Sequence, residues 1–179
     1  MTILLLIILF ALGAIFTPRF IPARFGWLQT SARVALSLAA IFMALATSFV
    51  IVDQDKVGHL KLIYGASKLP PGHIIAMHGE AGPQAEILGP GFNFKPLLNI
   101  LYDVEQLPIT EIPEGHYGYI VARDGAPLRA DQFLADAWRD EQQMLDAAYF
   151  LTDGKGQKGP QLTVLKPGRY RLNQYLFEI

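Results

Sequence analysis

Four histidines, His59, His73, His78 and His116, and four neighbouring carboxylates, Asp103, Glu105, Glu111 and Glu114, are the side chains of this sequence best suited to chemistry. Histidine titrates near neutrality and ligates metals, and paired carboxylates perform general acid and base catalysis. The spacing argues against both uses. His73 and His78 lie five apart with no H-E-x-x-H pattern, and only Glu80 follows nearby, so no metal-ligand geometry is indicated. The carboxylates fall at a strand end and before a turn, where acids are usually solvated. G-x-S-x-G and the phosphate loop are absent. Gly89-Pro90-Gly91 reads as a turn, because proline removes an N–H that an anion cradle would need. With no cysteine, disulfides, thiolate catalysis and zinc–thiolate sites are excluded. The expectation is therefore no catalytic residue, no cofactor and no metal. His73 and His116 each follow a turn glycine, which points to a structural use of the imidazole.

The elements that would position these residues divide sharply by composition. Apolar residues make up 51% of the 179-residue chain and charged residues 17%, and the apolar excess is local. A net charge of −1 with scattered Lys and Arg gives no basic face, so nucleic acid is not an expected partner. Thr2–Phe16 and Ala35–Val52 carry no charge and read as membrane helices, making residues 1–52 a membrane hairpin. The first lacks a positive segment before it and a small-residue cleavage site after it, so it does not read as a signal peptide. Between them, Pro18 and Pro22 are expected to break helix, while Arg19, Arg24, Arg33, Phe25 and Trp27 suit an interfacial loop. The loop arginines nearly balance Lys56, Lys61 and Lys68 after the second segment. Their confinement to a short loop tips orientation towards loop inside, and termini and soluble region outside, the cytoplasm.

After a linker over 53–68, the texture changes to short β-type runs punctuated by Gly and Pro, and landmarks repeat. Pro71-Gly72-His73 before IIAM parallels Glu114-Gly115-His116 before YGYIV. Gly82-Pro83-Gln84 leads to Pro90-Gly91 at the same spacing as Gly159-Pro160-Gln161 leads to Pro167-Gly168. Ile100–Val104 matches Tyr175–Ile179. The expected class is α+β: a hairpin followed by tandem β-rich repeats, 69–108 and 109–179, each a small antiparallel meander. An amphipathic helix over about 128–150, with Asp131 as N-cap and Thr152-Asp153-Gly154 as stop, is expected inside the second repeat only. The following KGQKG reads as an exposed loop.

At GHIIAMHGEAGPQAEILGPGFNF, and again at GYIVARDGAPL with GQKGPQLTVLKPGRYRLNQYLFEI, the sequence resembles the stomatin, prohibitin and flotillin superfamily, also called SPFH or band-seven. It is most similar to large prokaryotic flotillin-like members, over about 69–179, and paired β units of this kind also resemble the repeats of the major vault protein. The resemblance implies a non-enzymatic scaffold of the cell membrane, built from SPFH-like repeats. Its copies would assemble into large homo-oligomeric rings or cages, organising a membrane microdomain or restraining a membrane protease or other membrane protein. Its partners would be membrane lipids and its own copies. The family's long charged helical region is missing and the chain stops at Ile179 without a terminating turn, so the N-terminal part of a longer protein, or a shortened relative, is expected. Two rival readings are an envelope-anchored adaptor for a transporter or secretion system, and a membrane-bound hydrolase using the histidines or the acidic junction.

Overall fold

The computed structural model describes residues 2–179, which form two compact units. The first unit comprises residues up to Val50 together with Phe94–Leu101, and the second Ile51–Asn93 with Tyr102–Ile179.

In the first unit, α1 (Thr2–Phe20) and α2 (Gly26–Ala46) form an antiparallel pair joined by a 3-10 turn at Ala23–Phe25. Both are long and apolar enough to cross a bilayer. The helices depart from the sequence expectation at each end. The first continues to Phe20 through Pro18, whose missing N–H cannot bond the Ala14 carbonyl one turn earlier. The helix tolerates this because Arg33 Nε donates to that carbonyl from α2 at 3.3 Å, and Thr17 Oγ1 donates to the adjacent Gly13 carbonyl at 2.6 Å. Arg33 therefore belongs to α2 and not to the loop. The second helix starts earlier than expected and ends at Ala46, short of Val52. Hydropathy continues through Phe49–Val52, but Thr47 Oγ1 bonds the carbonyls of Met43 and Ala44, closing the helix, and the β-branched run becomes strand β1 (Phe49–Val52). Lys95 N and Leu97 N donate to the carbonyl and hydroxyl of Ser48, and Asn99 N to the Thr47 carbonyl, so residues 94–101 cover the helix end.

The second unit is built from short antiparallel strands. These are β2 (Lys56–Leu62), β3 (Gly82–Leu88), β4 (Gly91–Phe94) and, after a single helical turn α3 (Leu98–Leu101), β5 (Tyr102–Pro108). Then come β6 (Thr110–Ile112), β7 (Val121–Ala122), helical turns α4 (Glu141–Leu145) and α5 (Ala147–Leu151), β8 (Gly159–Pro160), β9 (Gly168–Tyr170) and β10 (Phe177–Glu178). Sheet orders are β3-β2-β5 and β10-β7-β8, with ribbons β1-β4 and β6-β9. The segment expected as a linker, 53–68, thus contains the central strand of a sheet.

One pairing scheme occurs twice. Gly58 faces Leu88 and Leu62 faces Tyr102, just as Gly118 faces Leu165 and Ala122 faces Phe177. A Cβ on Gly58 would meet Leu88 and Val52, and one on Gly118 would meet Leu165 and Ile112, so the same apolar crossing leaves little room for a side chain in both places. Gln84 Nε2 donates to the carbonyls of Glu80 and Gly82, and Gln161 Nε2 to those of Gln157 and Gly159. The Gly82/Gly159 landmarks and the Ile100–Val104/Tyr175–Ile179 match therefore fall at like positions. The His73/His116 pairing does not. His116 closes the turn Pro113–His116 ahead of β7, and the turn ahead of β2 is Asp53–Lys56, closed by Lys56 N to the Asp53 carbonyl. Pro70–His73 closes a similar turn, but in a loop between β2 and β3. Local turn chemistry made unlike places look alike.

The helix expected over 128–150 is replaced by extended chain and two short turns of helix. Ala135 N donates to the Pro160 carbonyl and Trp138 N to Thr163 Oγ1, which holds the chain flat before Asp140. Asp140 and Asp146 then each accept backbone N–H bonds as N-caps, dividing the remainder into α4 and α5; Asp131 caps nothing. Phe133 is 92% exposed, whereas Met144, Ala147 and Phe150 enter the core. Nor is KGQKG all exposed: Gly156 and Gln157 are buried, and Gln157 Oε1 accepts from Asp136 N. The core joins Ile75 and Ala85 to Ile112, Ile120, Leu165, Leu172, Leu176 and Phe177.

Candidate functional site

The polar interior of the second unit is organised by Asp124, whose side chain is 1% exposed. Beyond β7, Gly125 turns the chain at φ +131°, where a Cβ would lie 2.5 Å from the Gly156 carbonyl oxygen, and this turn directs the preceding carboxylate inward. The turn Pro70–His73 presents its own backbone from the other side. Asp124 accepts from Ile74 N at 2.7 Å, Ile75 N at 2.9 Å, Gly125 N at 2.7 Å and His73 Nδ1 at 2.9 Å. Burial works to raise its pKa, but the three backbone donors and the imidazole outweigh it and hold the carboxyl below its ordinary value. The carboxylate can only accept, so a proton sits on His73 Nδ1.

The half-exposed His73 ring borders a cavity of about 560 Å³ lined mainly by apolar side chains such as Leu69, Ile75, Met77 and Leu151, with His78, Glu80 and Lys155 at hand. A carboxylate behind an imidazole is the base-and-orienter half of a nucleophilic triad. Nε2 makes no hydrogen bond to the protein among the described residues, and no group of three or more His, Cys, Asp or Glu that could hold a metal occurs among them. What the arrangement does hold is backbone, across about fifty residues of sequence.

Two further buried groups act in the same way. Asn173 donates through Nδ2 to the carbonyls of Gln84 and Ala85, and its Oδ1 accepts from Tyr175 N and Leu176 N. His59, fully buried, accepts at Nε2 from Gln174 N at 3.0 Å, so its proton sits on Nδ1 against the Val57 carbonyl. Desolvation lowers the His59 pKa. Unfolded, the ring protonates near 6.5; folded, it resists protonation to lower pH. Stability from this site is thus complete above that value and declines as pH falls through it, levelling only below the folded pKa. We expect the urea midpoint to fall between about pH 7 and 5. His59→Gln should lose that limb; an unchanged pH profile in the variant would show that His59 is not its source.

Of the carboxylates singled out from sequence, Asp103, Glu111 and Glu114 are exposed. Glu105 pairs with Lys61 at 2.7 Å and accepts from the Tyr175 hydroxyl; Lys61 first and Tyr175 second lower its pKa. The structure brings His59 and Glu105 around Tyr175, and His73 to Asp124, while His78 and His116 lie at the surface. Sequence reasoning missed Asp124, Asn173 and Gln174. For Asp124 the available signal was an Asp-Gly pair one residue beyond the apolar run Tyr119–Ala122; for the others there was none. No protein-family model, curated protein or solved structure matches the chain.

Proposed function

We propose that the chain is a membrane-anchored, non-catalytic scaffold of the flotillin-like kind, its hairpin spanning the cell membrane and its β-rich unit made of two SPFH-like repeats. The observation that carries the reading is the doubled pairing scheme, with Gly58 and Gly118, and Gln84 and Gln161, in matching surroundings after an apolar hairpin. The buried polar groups support it, since Asp124, His59 and Asn173 secure backbone over long sequence separations. Copies are proposed to associate laterally into rings or cages that organise a membrane patch or restrain a membrane protein such as a protease. Strand β5 ends the sheet β3-β2-β5, an edge along which a neighbour could pair, and confinement to one plane raises the effective concentration of the copies. Arg19 and Arg24, at the turn end of the hairpin, favour a cytoplasmic turn and an extracytoplasmic β-rich unit.

The test is crosslinking of the full-length protein in native membranes after an alkaline wash, followed by mass measurement. We expect the chain to stay in the membrane pellet and to yield a ladder ending at one large species. A membrane-retained chain that crosslinks only as a monomer would defeat the scaffold reading.

A further inference from the structure

Arg33 is a charged side chain placed inside an apolar hairpin, two turns into α2 and roughly 10 Å from that helix's start. Intramembrane arginines are expensive and are retained where something satisfies them. Among the described residues, only Nε finds a protein acceptor, the Ala14 carbonyl that Pro18 leaves without a helical donor. A guanidinium has five N–H donors, and the remaining four, on the two Nη atoms, make no hydrogen bond to the protein among the described residues. Helical side chains lean towards their own N-terminus, which for α2 is the end at the interhelical turn, so the long stem directs its head towards the interface carrying Arg19 and Arg24.

Arg33 also borders a cavity of about 420 Å³ between the helices, where Ala11, Ala14, Ser37 and Ala40 leave a slot flanked by Ile15 and Ile41. Small side chains in such a pair ordinarily let the helices close on each other; here they leave space beside a guanidinium with free donors. The Nη pair matches two phosphate oxygens, and the apolar slot matches a hydrocarbon chain.

We infer that the hairpin carries a binding site for one anionic phospholipid, its phosphate held by Arg33 and an acyl chain laid in the slot between α1 and α2. The inference rests on the membrane reading above. It also assigns the lipid to the leaflet on the turn side, towards which the Arg33 stem leans.

The experiment reconstitutes the full-length chain into phosphatidylcholine nanodiscs with or without phosphatidylglycerol, and measures lipid retained after extraction by native mass spectrometry. The wild type should retain phosphatidylglycerol over phosphatidylcholine by about five-fold, the value of one arginine–headgroup contact. Arg33→Gln should abolish the preference. So should Ser37→Leu, which fills the slot and leaves the guanidinium in place, while helicity by circular dichroism stays at the wild-type value. Arg24→Gln, at the turn, should keep the preference. Absence of preference in the wild type, or its persistence in Arg33→Gln, overturns the site. Loss in Arg33→Gln together with helicity, with Ser37→Leu still selective, also overturns it and leaves Arg33 as a fastener of the hairpin alone. If excess inorganic phosphate removes the preference, the site is not one for lipid. Release of the chain by alkaline wash would instead sink the membrane reading, a result separable from every outcome above.

Discussion

Asp124→Ala should lower the stability of the β-rich unit by about 3 to 4 kcal/mol, because it leaves three backbone N–H groups without the carboxylate that accepts from them. Ile75 is buried, so water cannot replace the lost acceptor there. Asp124→Asn should cost about half as much, since one amide oxygen still accepts while the amide nitrogen meets donors. The pH dependence has a definite sign. A carboxyl held below its ordinary value stabilises fully above the unfolded pKa near 3.8, and this contribution is lost as pH falls through the lower folded value. Urea unfolding of the full chain in detergent, followed by tryptophan fluorescence, measures both effects. An Ala variant within about 1 kcal/mol of wild type would show that Asp124 does not fasten the loop after Pro70.

Phe150→Ala should destabilise by a comparable amount, about 3 to 5 kcal/mol. Its ring is wholly buried, stacks on Trp138 at 5.5 Å and meets Phe177 edge-on at 5.1 Å. A Cβ added at Gly156 would lie 2.5 Å from that ring, so the neighbouring backbone packs directly against it and cannot easily close further over a vacancy. The same contact yields a second outcome: Gly156→Ala, overpacking the same place, should cost about 1 to 3 kcal/mol in the wild type and much less alongside Phe150→Ala. Additive losses in the double variant would refute the contact. Trp138 emission should report the Phe150 loss in the native baseline, since the indole loses its stacking partner.

The apolar hairpin, the absence of cysteine chemistry, the β-rich character after it and several Pro-Gly turns are written in consecutive residues, because hydropathy and turn propensity are local quantities. Thr2–Phe16 and Ala35–Val52 announced two apolar helices for that reason. Where those helices stop was decided by contacts: Arg33 supplies the donor that carries α1 through Pro18, and the hydroxyl of Thr47 ends α2 within a run whose hydropathy alone would extend it. The segment 128–150 shows the opposite failure. Its apolar spacing fits a helix, but Asp140 and Asp146 offer caps at successive turns, and strand-like bonds to Pro160 and Thr163 hold the part before them extended. Histidine roles were least legible of all. His73 and His116 share a local motif, yet one meets Asp124 and the other lies exposed, and His59, with no motif around it, becomes the buried acceptor for Gln174. Such partners lie about fifty to more than a hundred residues apart, and the free energy that selects them comes from burying polar groups with their hydrogen bonds made, which no short stretch of sequence records.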